Sequence, residues 1–185
     1  MRMFRFLALG ALTAALALPA FAADYVQAPG SSLAFAGKYQ GETFSGTFPG
    51  FRTTVSFDPA NLAAGTLSVT IPLATATTQN VDYDTEMRGS AFFDATKFAQ
   101  ATYTATGFRD LGDGRYAADG TLELRGVRKP VTLTFTWTEG ARPLLSGRAT
   151  VRRLDFGVGG GDWADTGTIP NEIAVSTRVY LQPAK

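Results

Sequence analysis

Between Val131 and Thr138 apolar and polar side chains alternate strictly, with valine, leucine, phenylalanine and tryptophan on one face and four threonines on the other. A period of two is the mark of a β-strand. The same alternation recurs at Thr66 to Ile71, Tyr116 to Leu124, Leu145 to Val151 and Ile173 to Leu181. Strands with one wet and one dry face belong to antiparallel sheets. Turn signals at short intervals (Pro29-Gly30, Pro49-Gly50, Asp58-Pro59, Gly112-Asp113-Gly114, Lys129-Pro130, Glu139-Gly140) divide the chain further. They predict strands near 31–38, 42–48, 52–57, 66–73, 100–108, 115–124, 130–138, 144–152 and 172–181. Many short strands of this kind make a sandwich or a barrel.

One stretch breaks the alternation. From Asn80 to Arg88 the chain has a capping residue, acids in the first turn and a basic residue at the end, before Gly89. Those are the signals of a short helix, because the acids oppose the positive end of the helix dipole and the base its negative end. The following segment, Ala91 to Phe98, carries three phenylalanines without alternation. It is expected to form a tight turn or short helical piece that folds against the sheet and caps one end.

The chain has 14 Phe, 6 Tyr and 2 Trp among its 185 residues. Alternation puts Phe35, Phe44, Phe48, Phe57, Tyr103, Tyr116, Phe135 and Trp137 on the dry face. Each removes on the order of 150 to 250 Å² from water when fully buried, so together they can fill a core. Gly46, Ala105, Ala118, Gly120, Gly147 and Ala149 share that face. Small residues there leave room in the interior, yet they also suit the taper of a filled barrel. About eight strands close around either side chains or one ligand, and both readings stay open at this point.

A basic head (Met1 to Arg5), an apolar stretch from Phe6 to Leu18 and an Ala-x-Ala site predict a secretory signal peptide over residues 1–22. Cleavage is expected after Ala22, with Ala23 as the neighbouring option. Residues 23–185 then form one secreted domain, with no internal repeat or linker. The chain contains neither cysteine nor histidine. Those absences count against a zinc site, a haem held by histidine, and Ser-His or Cys-His hydrolysis. The formal net charge is +1, with basic residues scattered, so nucleic acid is not an expected partner.

No catalytic constellation emerges. Gly157 to Asp162 resembles a phosphate loop only superficially, since no helical run follows the glycines; a flexible connection is expected. Asp155, Asp162 and Asp165 do not have the spacing of a calcium loop. Asp82, Asp84 and Glu86 read as the acidic first turn of the helix, with no second acidic cluster opposite them for glycoside hydrolysis. Lys38, Arg52, Arg125, Arg128, Lys129, Arg152 and Arg153 sit at strand ends. They are expected as solvated edge charges, with one or two at a cavity mouth as the functional alternative.

From Ser31 onward the chain carries Ser32-x-x-Phe35-x-x-Lys38 and Gly46-x-Phe48-x-x-Phe51, then Phe57-Asp58-Pro59 and Asp84-x-Glu86-Met87-Arg88-Gly89-Ser90-Ala91-Phe92-Phe93-Asp94. Gly120-Thr121-Leu122-x-Leu124-Arg125-Gly126-Val127-x-Lys129-Pro130-Val131 and Arg153 to Gly159 follow in order. With these elements the chain resembles the YceI-like family. Relatives often carry histidine where Tyr39 and Arg125 stand here, so no role of such histidines transfers. The resemblance implies an all-β fold: an antiparallel lipocalin-like β-barrel of about eight strands with one short helix. It also implies periplasmic binding, transport or storage of a long isoprenoid lipid or isoprenoid quinone, without catalysis and without a cofactor.

Phe156 to Asp165 looks most like the branch found with membrane cytochromes of the b561 type. Transient contact with the membrane or such a cytochrome is therefore among the implied partnerships, as is a homodimer. Alternation and resemblance together nominate Phe35, Phe44, Phe48, Val69, Met87, Phe92, Phe93, Tyr103, Leu122, Leu133, Phe135 and Trp137 as the ligand-binding wall. The alternative is a ligand-free barrel acting as an interaction or stress-response protein.

Overall fold

A computed structural model describes residues 24–184; the predicted signal peptide and its cleavage site lie outside the described residues. Ten strands run in chain order: β1 (Asp24–Gln27), β2 (Ser32–Tyr39), β3 (Glu42–Thr47), β4 (Arg52–Ser56), β5 (Thr66–Pro72), β6 (Gln100–Gly112), β7 (Arg115–Leu124), β8 (Val127–Thr138), β9 (Leu144–Arg152) and β10 (Glu172–Pro183). The one α-helix among the described residues, α1 (Val81–Arg88), lies between β5 and β6. All pairings are antiparallel, in the order β1-β4-β5-β6-β7-β8-β9-β10, and β1 pairs back onto β10 to close the ring. The result is a closed eight-stranded β-barrel. The β2-β3 hairpin continues the wall from the other half of β10.

Ten segments make eight staves because the first two staves are each broken once. β10 is flanked along its second half by β1 and along its first half by β2, so β1 and β2 are halves of one stave. Pro29-Gly30 makes the break, with Gly30 at a φ of 86° that favours glycine. Ser31 repairs the ladder there: its hydroxyl donates to the Ala28 carbonyl at 2.8 Å and accepts the Tyr180 N–H at 3.0 Å. Pro49-Gly50 breaks β3 from β4 in the same way, with Gly50 at a φ of 80°.

The outer edge of β3 meets the rest of the ring through one bridge, in which Thr47 and Thr77 exchange backbone hydrogen bonds of 2.8 and 3.0 Å. Beyond that bridge the wall is completed by α1 and the turns that follow it. Asn80 caps α1 by accepting the Asp82 and Tyr83 N–H groups, and Gly89 ends it, both at the predicted positions. Asp84, one turn in, is tied to the chain before the helix through Thr77 Oγ1 (2.6 Å), the Thr78 N–H (2.6 Å) and Thr78 Oγ1 (2.8 Å). Residues 91–98 wrap as turns under the helix, and Arg125 Nη1 donates to the Ala91 carbonyl at 3.2 Å and to that of Phe92. Arg125 itself occupies the left-handed region beside Gly126, in the tight β7-β8 turn.

The other end of the barrel is plugged by aromatic rings. Phe57 stands at the centre, 5.5 Å from Phe108, 5.0 Å from Tyr116, 5.3 Å from Phe135 and 5.0 Å from Trp137 between ring centroids. Tyr25 adds to the edge of Trp137 at 5.7 Å. Simple alternation along β6 sends Phe108 outward with Thr102 and Thr104. The register against β7 shifts between Ala105 and Gly107, and this bulge inverts the alternation and turns Phe108 in.

Candidate functional site

Between the plug and α1 the barrel interior is hollow. The cavity measures about 220 Å³ and is lined by 28 residues, of which only Thr53, Tyr103, Arg153 and Thr177 carry a polar side chain. An apolar void of roughly 150 Å³ stays dry and takes an apolar guest, so this hollow suits hydrocarbon. A vestibule of about 200 Å³ adjoins it at the helix end and shares Phe44, Met87, Phe92 and Ile169 with it. Tyr39, Tyr83, Trp163, Asp82 and Glu86 form its outer part. Tyr39 links its two aromatic neighbours, 6.1 Å from Tyr83 and 6.3 Å from Trp163. The hollow thus opens beside α1 and ends blind at the Phe57 cluster.

Ten residues named from the sequence line the hollow: Phe35, Phe44, Phe48, Val69, Met87, Phe92, Phe93, Tyr103, Leu122 and Leu133. They arrive from β2, from β3 and the residue after it, from β5 to β8, and from α1 and the turn after it. Phe48 stacks between Phe35 (4.9 Å) and Phe93 (5.8 Å), joining the hairpin wall to the helical cap. Phe135 and Trp137 do not line it. They lie on the expected inner face but beyond the blind end, where Phe135 is 2 % exposed and locked among Phe57, Phe108 and Tyr116. Alternation assigns a face and carries no information about depth along the barrel.

Of the small residues of the dry face, Ala149 lines the hollow, while the three glycines play a different part from the one their size suggested. A β-carbon at Gly147 would stand 2.9 Å from Leu133 Cδ1, and one at Gly120 would stand 2.5 Å from Tyr103 Cζ. Gly46 is covered by Phe35 in the same manner. These glycines are sockets for large neighbours on the adjoining strands, and it is those neighbours, Phe35, Tyr103 and Leu133, that face the hollow.

Arg153 departs most from its expected place. It is 3 % exposed, in the wall of the hollow, and all five of its N–H groups go to backbone carbonyls. Nε donates to Pro170 (3.1 Å), Nη1 to Val158 (3.0 Å) and Gly159 (2.6 Å), and Nη2 to Trp163 (2.8 Å) and Ile169 (2.7 Å). Burial lowers its pKa from the ordinary arginine value. The glycine-rich segment is therefore a shell wrapped round one guanidinium, not a flexible connection. Gly159, at a φ of 64°, sits so close that a side chain there would strike Arg153 Nη1 and Phe92. Among the carboxylates of this region, Asp155 lies 3.7 Å from Arg152, and Asp165 accepts from the Gly167 N–H and the Thr168 hydroxyl to shape its own turn.

Sequence reasoning missed wall residues of two kinds. Val158 and Ile169 come from irregular segments where no period exists to read. Thr53 was legible, because counting back from Phe57 through Val55 places it on the dry face.

A family model, the YceI-like domain, matches residues 25–181. A UPF0312 protein of Vibrio vulnificus is 35 % identical over 127 residues, which cover 66 % of this chain and 67 % of the relative. Among solved structures, BcnA of Burkholderia cenocepacia superposes with a TM-score of 0.78 at 28 % identity, covering 81 % of this chain and 95 % of that one. A polyisoprenoid binding domain from Saccharophagus degradans implicated in plant cell wall breakdown superposes with a TM-score of 0.68 over 88 % of this chain and 99 % of that domain. At 18 % identity the last likeness speaks for the fold.

Proposed function

The chain belongs to the YceI-like domain family, and from that premise we propose that it holds a long isoprenoid lipid or isoprenoid quinone in its barrel and shields it from water. The observation that carries this reading is the hollow itself, about 220 Å³ with an almost wholly apolar wall. A hydrocarbon chain requires of its site only area removed from water, at about 25 cal/mol per Å² less the ordering cost. The polyisoprenoid binding recorded for the Saccharophagus degradans domain of the same fold supports the choice of ligand. The reading is one of binding, in transport or storage, without turnover or cofactor, in the periplasm after removal of residues 1–22. Delivery to or from a membrane, or a membrane cytochrome, is part of this reading, through the vestibule between α1 and Trp163. A homodimer is compatible with it.

The test is to purify the mature protein from its native host and identify extracted lipid by mass spectrometry. One isoprenoid per chain is the expected result. Repeated recovery of protein with no stoichiometric lipid would favour a ligand-free interaction protein instead.

A further inference from the structure

The wall of the hollow contains four polar side chains, and three of them are fully engaged. Tyr103 donates its hydroxyl to the carbonyls of Ala118 and Val131, Thr177 donates to that of Ser32, and Arg153 spends all five N–H groups on its own shell. Thr53 is the exception. It is 3 % exposed, lines the hollow, and its Oγ1 has no hydrogen-bond partner among the described residues. A buried hydroxyl without a partner is costly, and a valine of the same shape would fill the position without that cost. On β4, Thr53 is followed inward by Val55 and then by Phe57 of the plug, four residues or roughly 13 Å along the strand. Thr53 lines the hollow and not the vestibule, on the strand that runs into the plug.

We propose that Thr53 anchors a neutral oxygen of the bound lipid, an alcohol, ketone or quinone carbonyl, so that the ligand lies with its polar end toward the plug and its hydrocarbon toward the mouth. This rests on the lipid-holding reading above and narrows it to one ligand class and one direction. Neutrality follows from Arg153. Among the described residues it is the one cation in the wall, and its donors are already taken, so a phosphate or carboxylate brought beside Thr53 would be buried without a partner. A neutral oxygen needs only the single hydrogen bond that Thr53 has to offer.

Three probes separate the outcomes in equilibrium binding: geranylgeraniol, the C20 isoprenoid hydrocarbon of the same skeleton, and geranylgeranyl phosphate. The wild type is expected to prefer the alcohol over the hydrocarbon by about five-fold, the usual worth of one net hydrogen bond, and to bind the phosphate at least ten-fold more weakly than the alcohol. Thr53→Val should abolish the preference for the alcohol while raising the melting temperature of the ligand-free protein; Thr53→Ser should keep the preference. A Thr53→Val variant that still prefers the alcohol overturns the proposal, as does a phosphate bound as tightly as the alcohol. Failure of the wild type to bind alcohol or hydrocarbon overturns the lipid-holding reading instead.

Direction is read from the two tryptophans, one at each end, using a prenylated benzoquinone whose ring quenches indole fluorescence. With Trp163→Phe leaving Trp137 as the reporter, quenching should exceed that of the converse Trp137→Phe protein. Stronger quenching of Trp163 overturns the inward orientation.

Discussion

The tip of the Tyr103 side chain covers Gly120 on the neighbouring strand, and its hydroxyl reaches past the glycine to the carbonyls of Ala118 at 2.8 Å and Val131 at 3.1 Å. One large residue, one absent side chain and two strand carbonyls form a single unit spanning β6, β7 and β8. Gly120→Ala would press a methyl group against both the ring and the Thr104 carbonyl, 2.6 Å away. We expect a loss of about 1–3 kcal/mol in urea unfolding, the usual range for overpacking. Tyr103→Phe in the Gly120→Ala background should recover little of it, because the backbone clash stays.

Burial pushes the Tyr103 phenol up from 10.0 to about 12. Its protonated form is the one the fold holds, so this contribution is fully present below the unfolded value near 10 and is lost as pH rises from there through about 12. An ultraviolet titration should show one tyrosine ionising after the others, and Tyr103→Phe should flatten the alkaline limb of the stability profile.

Phe135 and Phe93 stand on opposite sides of the blind end and should respond differently to truncation. Phe135→Ala removes the middle of the plug and is expected to cost about 3–5 kcal/mol, with lipid retention per folded molecule unchanged. Phe93→Ala, in the wall near the mouth, should cost less stability and release lipid faster. Denaturant unfolding and the lipid-to-protein ratio after gel filtration measure the two effects separately.

Arg153→Lys keeps the charge and still fails to replace the residue, since an ammonium offers three donors where five carbonyls wait in a fixed fork. A loss of about 3 kcal/mol is expected. Hydrogen exchange should report it first as lost protection over residues 157–169, and only later as global unfolding.

Asp84 makes α1 sensitive to acid. Burial raises its pKa, but the hydrogen bonds from Thr77 and Thr78, with Arg88 behind them, outweigh burial and hold it below the ordinary 3.8. A carboxyl depressed in the folded state stabilises above its unfolded value and loses that contribution as pH falls through its folded one. Amide exchange in α1 and residues 77–80 should therefore accelerate below about pH 4. Asp84→Asn should show the faster exchange already at neutral pH, with a stability loss of about 1–3 kcal/mol.

Strand period, turn residues and helix capping are local properties, and the sequence alone determined what rests on them: an all-β antiparallel chain, nearly every strand, the bounds of α1 and the inward face of the seven wall residues that alternation placed, with Met87, Phe92 and Phe93 coming from the family resemblance. Depth along the barrel, the inversion of Phe108 by a bulge and the joining of β1 to β2 and β3 to β4 as broken staves depend on register between distant strands. No local pattern encodes that register. The same holds for Arg153, whose partners come from both sides of the glycine-rich turn, and for the free hydroxyl of Thr53. Whether a buried polar group is engaged depends on which carbonyls the closed ring brings within 3 Å or so of it, and only the tertiary structure decided that.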